Sequence, residues 1–159
     1  MAFRLFEHNA KAYEAAQTKM ERYGKAAIIH PTGTGKSYIA FKLIADHPDA
    51  VVLWISPSEY IFKTQIEGLK KNDPDFPLAN VHFFTYAKLM CCTEAQLAEI
   101  AGLRPSYIIL DEFHRAGAEC WGESTVALLK LQRLMRSRLL SEKVIITRNW
   151  TGQKETDSL

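Results

Sequence analysis

The chain has 159 residues, of which 47% are hydrophobic and 24% charged, with a formal net charge of +2. That length fits one domain with a real core and leaves no room for two full domains. So small a net charge excludes a nucleic-acid binder that works by bulk charge alone, although a local basic patch stays open.

The opening stretch from Met1 interrupts its apolar residues with Arg4, Glu7 and Lys11, so it reads as neither a signal peptide nor a membrane span. Residues from about His8 to Arg22 read as a helix, and Gly24 ends it because glycine tolerates the left-handed cap. The short apolar run Ala26 to Ile29 suits a buried strand. The segment HPTGTGKS follows, from His30 to Ser37, and Tyr38 to Ala45 reads as helix, closed by Pro48. Val51 to Ile55 is a second buried strand. Ser56, Pro57 and Glu59 then form a helix start, with Ser56 as the cap and the helix running to about Lys71.

Asp73-Pro74 and Phe76-Pro77 mark a turn before a third strand, Val81 to Thr85. Thr93 and Gln96 have the spacing of a capping box for a short helix to about Ala101. Tyr107 to Leu110 is the fourth strand, ending in Asp111-Glu112. A loop with Gly117 and Gly122 leads to a helix near Ser124 to Leu140, whose stripe of Leu128, Leu131, Leu134, Met135 and Leu139 leaves Lys130, Arg133 and Arg136 on more exposed positions. Lys143 to Thr147 is a fifth strand, and the polar stretch Arg148 to Leu159 has no period. Strand and helix alternate, and the strands are unbroken apolar runs. The expected fold is therefore α/β, a parallel sheet with helices on both faces. Such sheets bind ligands at the carboxyl ends of their strands. The three cysteines, Cys91, Cys92 and Cys120, form no CxxC pair. They are read as reduced thiols of a cytoplasmic protein without a zinc site.

Two segments carry chemistry. Gly33-Thr34-Gly35-Lys36-Ser37 lies between a strand and a helix, where a phosphate loop belongs. Glycines let successive N–H groups curl toward an anion, and the helix N-terminus adds its dipole. Lys36 would reach the β- and γ-phosphates, and the Ser37 hydroxyl would bind Mg²⁺. His30 stands where the full GxxxxGK[ST] pattern has glycine. The competing reading is a glycine-rich turn with a solvated lysine, which the strand-helix setting disfavours. The second segment is Asp111-Glu112-Phe113-His114. Beside a phosphate loop, Asp111 would hold Mg²⁺ and Glu112 would orient and deprotonate an attacking water. A solvated strand end is the alternative. His114 could couple the site to a second domain or serve as a local hydrogen-bonding residue.

HPTGTGKS resembles motif I of the superfamily-two (DEAD/DEAH-type) helicases, in which the position of His30 is often not glycine, and DEFH resembles their motif II. Ile55 to Ser58 with Gln65 resembles motif Ia, and Phe84-Thr85-Tyr86 with Leu89 resembles the TY motif. The resemblance covers roughly residues 3 to 147. It implies the first RecA-like, P-loop NTPase domain of a helicase or translocase, spanning 1–147, with a divergent tail at 148–159. It further implies ATP and Mg²⁺ as cofactors, with Pro31, Thr32, Gly33, Thr34, Gly35, Lys36 and Ser37 around the phosphates. Catalytic roles fall to Lys36, Asp111 and Glu112, and metal ligation to Ser37 and Asp111. Asn9 stands where family members carry an adenine-reading glutamine. Ser56, Gln65 and Thr85 would face a nucleic-acid backbone, DNA slightly favoured over RNA, although helix capping and loop structure explain them equally well.

After the fifth strand the family has a Ser/Thr-Ala-Thr motif. This chain reads Thr147-Arg148-Asn149 instead, and the second RecA-like domain with its arginine fingers is expected to be absent. The expectation is a truncated piece, with a sheet incomplete at its C-terminus, that binds Mg·ATP with slow or absent turnover. Other readings are an inactive remnant serving only as a binding module, a restriction-type DNA translocase subunit, and a small P-loop kinase. The last usually needs a lid of basic residues, and none is read in this sequence. No membrane association is expected.

Overall fold

The computed structural model describes residues 4–31, 33–112 and 143–149. The helix expected near Ser124 to Leu140, His114, Cys120 and the tail beyond Asn149 lie outside them. In chain order the elements are α1 (Glu7–Tyr23), β1 (Lys25–His30), α2 (Lys36–Asp46), β2 (Val52–Ser56), α3 (Glu59–Asn72), β3 (Val81–Thr85), α4 (Tyr86–Met90), α5 (Glu94–Gly102), β4 (Tyr107–Leu110) and β5 (Lys143–Asn149). The strands form one parallel sheet in the order β1-β5-β4-β2-β3.

The period of two along each strand divides the core. Val52 and Trp54 of β2, Tyr107 and Ile109 of β4, and Ile145 of β5 pack on one face with α1, α2 and Leu69 of α3. The alternate residues Leu53, Ile55, Ile108, Leu110 and Val144 pack on the other face with Tyr86, Leu89, Leu97, Ile100 and Ala101 of α4 and α5. Both faces of β2 and β4 are thus covered, which is why those strands are apolar throughout, whereas the edge strand β1, expected as a buried strand, buries only Ala26 and Ile28 and leaves Ala27 and Ile29 exposed.

Helix α1 buries Asn9, Tyr13, Ala16 and Met20, a stripe at helical spacing, and ends at Gly24 with φ of 71° and a bond from its N–H to the Met20 carbonyl (2.9 Å). The Tyr13 hydroxyl donates to Asp46 Oδ2 (2.7 Å) and ties α1 to the end of α2. Burial, together with that carboxylate, pushes the phenol's pKa above its ordinary range. The capping box of α5 is present, with Thr93 and Gln96 bonding each other's backbone N–H.

The start of α3 differs from the sequence expectation. Ser58, not Ser56, is the cap: its hydroxyl accepts from the Ile61 N–H (3.4 Å). Ser56 is needed one step earlier, as the last residue of β2 opposite Thr85 of β3. There it is fully buried, and its hydroxyl has no partner among the described residues. Helix α4 is too short, at five residues, to show a period in the sequence; Thr85 caps it by accepting from the Lys88 N–H (3.1 Å), the capping alternative to its reading as a nucleic-acid-facing residue.

Candidate nucleotide site

The phosphate loop joins β1 to α2 at the carboxyl edge of the sheet. Gly33 and Gly35 have φ of 81° and 76°, the left-handed region. Gly35 is also the N-cap of α2, so Lys36 and Ser37 stand in that helix's first turn. No side chain caps the helix, which leaves the loop's own turn over its amides. A Cβ on Gly35 would lie 3.1 Å from Asn9 Nδ2. The Thr34 hydroxyl donates to the Pro31 carbonyl (2.8 Å) and closes the loop on itself. Thr32 lies outside the described residues.

Asn9 is the tether beneath this loop. It is wholly buried, and its Nδ2 donates to the carbonyls of Thr34 (2.9 Å) and Gly35 (3.3 Å), while its Oδ1 has no partner among the described residues. His8 Nε2 lies 3.1 Å from the same Thr34 carbonyl. Lys36 is 6% exposed and donates to the carbonyls of His30 (3.2 Å) and Pro31 (2.9 Å). Burial lowers its pKa, against the opposing pull of Glu112 and Asp111. Burial, with the neighbouring His8 and Lys36, lowers that of His30.

Across a cleft of about 380 Å³, lined in part by Gly35, Lys36, Ser37, Gln65, Asp111 and Glu112, the phosphate loop faces the acidic turn. Asp111 is buried at the end of β4. Its N–H donates to the Ile55 carbonyl (2.8 Å), its Oδ1 accepts from the Thr147 hydroxyl (2.6 Å), and its carbonyl accepts from the Tyr86 hydroxyl (3.0 Å). Gln65 Nε2 reaches Asp111 Oδ2 at 3.5 Å, the outer limit of a hydrogen bond. The Glu112 N–H donates to the Thr147 hydroxyl (3.3 Å), and Glu112 has φ of 50°.

The expected site residues therefore divide. Asn9, Pro31, Gly33, Thr34, Gly35, Lys36, Ser37, Asp111 and Glu112 gather around one loop and cleft. Gln65, expected on a nucleic-acid face, turns toward Asp111 in the same cleft. Ser56 is buried in β2 and Thr85 caps α4. The sequence reading gave no role to Thr147 or to the hydroxyl of Tyr86. The signal available for Thr147 was a hydroxyl closing an otherwise apolar strand.

The donor set fits the implied groups. Ser37 and Asp111 offer oxygen to one cleft, and a hard cation such as Mg²⁺ takes oxygen donors. Among the described residues no three His, Cys, Asp or Glu side chains gather to hold a metal. Mg²⁺ usually keeps waters and takes phosphate oxygens beside one or two protein ligands, so two suffice. A second cleft, of about 570 Å³, shares Gly33, Gly35 and Tyr38 with the first and adds Arg4, Leu5, Phe6 and His8. Among the described residues no helix is long and apolar enough to cross a membrane.

The profile of the family described as type III restriction enzyme, res subunit, matches residues 2–140. Among solved structures, the chain is similar to the crystal structure of the DUF1998 helicase MrfA, with a TM-score of 0.69 at 16% identity. That likeness covers 92% of this chain and 27% of the helicase chain, so this chain spans about a quarter of that protein's length. At this identity the likeness establishes the fold, a RecA-like parallel sheet. No curated protein matches.

Proposed function

The chain belongs to the family of the type III restriction enzyme res subunit, and on that premise we propose that it is a Mg·ATP-binding domain of a nucleic-acid-dependent translocase or helicase. It would hydrolyse ATP when paired with a second RecA-like domain. The observation that carries the proposal is the single cleft on which Lys36, Ser37, Asp111 and Glu112 converge.

Each residue's part follows from its chemistry. The loop from Pro31 to Ser37 would wrap the phosphates with backbone N–H groups. Lys36 would leave the His30 and Pro31 carbonyls that it now bonds and place its charge on the β- and γ-phosphates. Mg²⁺, when bound, neutralises phosphate charge. Ser37 and Asp111 would hold it, Asp111 directly or through water. Glu112 would orient a water and accept its proton. The second cleft, with the exposed Phe6 ring, suits a purine base beside the loop. In this reading Asn9 serves first to hold the loop, and its buried Oδ1, without a partner among the described residues, would have to be uncovered to read the base.

DNA is favoured as the track, because the matched family is named for a restriction enzyme. Ser56 and Thr85 keep their proposed place near the nucleic-acid face, although Ser56 would have to emerge from burial to touch a phosphate. The second reading is a remnant that only binds. Titration of the chain with a fluorescent ATP analogue and Mg²⁺, beside Lys36→Ala, separates the two. Saturable binding abolished by the substitution supports the proposal. A folded wild-type chain that does not bind refutes it.

A further inference from the structure

The peptide group joining Asp111 to Glu112 is gripped at both ends by side chains from other strands. Its C=O accepts from the Tyr86 hydroxyl (3.0 Å), and its N–H donates to the Thr147 hydroxyl (3.3 Å). Tyr86 follows β3 and Thr147 sits in β5, so the grips come from opposite sides of β4. The peptide is planar, so fixing these two ends fixes ψ of Asp111 and φ of Glu112 together. The value held at Glu112 is 50°, in the left-handed region that a residue with a Cβ occupies only at a cost. Rotation of the plane would relax that angle and swing the Glu112 side chain to a new direction.

The geometry points to Tyr86 as a positioning residue of the nucleotide site, which holds the Asp111–Glu112 peptide plane in the orientation that presents both the Asp111 and the Glu112 carboxylates to the cleft facing the phosphate loop. Thr147 is its counterpart on the other side and also bonds the Asp111 carboxylate (2.6 Å). Tyr86 is fully buried, and burial with Asp111 and Glu112 close by keeps its phenol protonated, so it is a permanent donor. Its position has a second consequence. Tyr86 directly follows Thr85, the cap of α4, so any displacement at the start of α4 is delivered to the acidic turn through one hydrogen bond.

The inference rests on the nucleotide reading above, and two measurements keep their failures apart. The first compares wild type and Tyr86→Phe in affinity for a fluorescent ATP analogue, in Mg²⁺ and in excess EDTA. The expected result is unchanged affinity in EDTA, because the phosphate loop is intact, and a loss of roughly tenfold in the Mg²⁺-dependent gain, the size of one buried hydrogen bond. A variant that melts earlier yet keeps the full Mg²⁺-dependent gain overturns the positioning role. If Tyr86→Phe does not fold, Thr147→Val releases the other end of the same peptide, with Thr147→Ser expected to restore the gain. The second measurement is a crystal structure of the variant. A rotated plane with negative φ at residue 112 supports the inference, and an unchanged plane overturns it. Wild-type protein that binds no nucleotide refutes the functional reading alone, and the peptide geometry is then decided by the crystal structure.

Discussion

Replacing Asn9 by aspartate exchanges one nitrogen for oxygen and changes no volume. In the wild type Nδ2 donates to the carbonyls of Thr34 (2.9 Å) and Gly35 (3.3 Å) from a fully buried position. Aspartate would turn an oxygen toward both. Two lost bonds cost about 1 kcal/mol each. A buried carboxyl facing carbonyl oxygens has its pKa raised, and each unit above the ordinary value adds about 1.4 kcal/mol at neutral pH. With a rise of about two units the total is ~4–5 kcal/mol, a melting shift of roughly 10–15 °C for a chain of this size. The sign with pH follows. The folded state binds the proton more tightly than the unfolded one, so the deficit shrinks as pH falls from 7.5 to 5. The protonated carboxyl then restores one bond. Asn9→Ala loses the same donors without gaining a titratable group, so its deficit relative to wild type stays flat. Thermal melts followed by circular dichroism at both pH values measure all three proteins. Equal, pH-independent deficits for Asp and Ala would refute the assignment of Nδ2 to the loop carbonyls.

Three further outcomes are expected. Gly35→Ala should destabilise the chain by about 1–3 kcal/mol and weaken binding of the ATP analogue, since the new Cβ meets both a φ of 76° and Asn9 Nδ2 at 3.1 Å; unchanged melting and affinity would contradict this. Ser58→Ala should cost about 1 kcal/mol in urea unfolding while Ser56→Ala is neutral or stabilising, because Ser58 caps α3 and the buried Ser56 hydroxyl has no partner among the described residues; the reverse order would restore Ser56 as the cap. The unfolded chain protonates His30 before the folded one does as pH falls below 6.5, because burial holds the folded pKa lower. His30→Gln should therefore flatten part of the loss of melting temperature between pH 7 and 5.5, and parallel pH curves would remove His30 as its source.

Much of this architecture is legible in the sequence because its signals are local. Ile28 and Ile29, Val52 to Ile55 and Tyr107 to Leu110 form short apolar runs, and the glycines at 33 and 35 mark a turn that would cradle an anion. What escaped is non-local. Thr147 and Asp111 lie far apart in sequence, and only the sheet order, with β5 inserted beside β4, brings the hydroxyl to the carboxylate. The Tyr86 hydroxyl depends equally on β3 lying two strands from β4. The choice between Ser56 and Ser58 turned on strand register. Both have a plausible capping context, and the pairing of Ser56 with Thr85 decides it.

The strand order also sets a sequence of events in time. The first described strand, β1, has β5, the last described strand, as its neighbour, with Lys25 paired to Val144. Until β5 emerges, β2, β3 and β4 can pair among themselves while β1 has no partner among the described strands. Contacts so distant along the chain are the slow ones to form. The Asn9 tether and the Tyr86 grip join elements made before β5, whereas the Thr147 grip waits for it, so a nascent chain ending before Lys143 would carry both sequence motifs and hold the acidic turn from one side only. The acidic turn gains its second grip late, when β5 slots between β1 and β4.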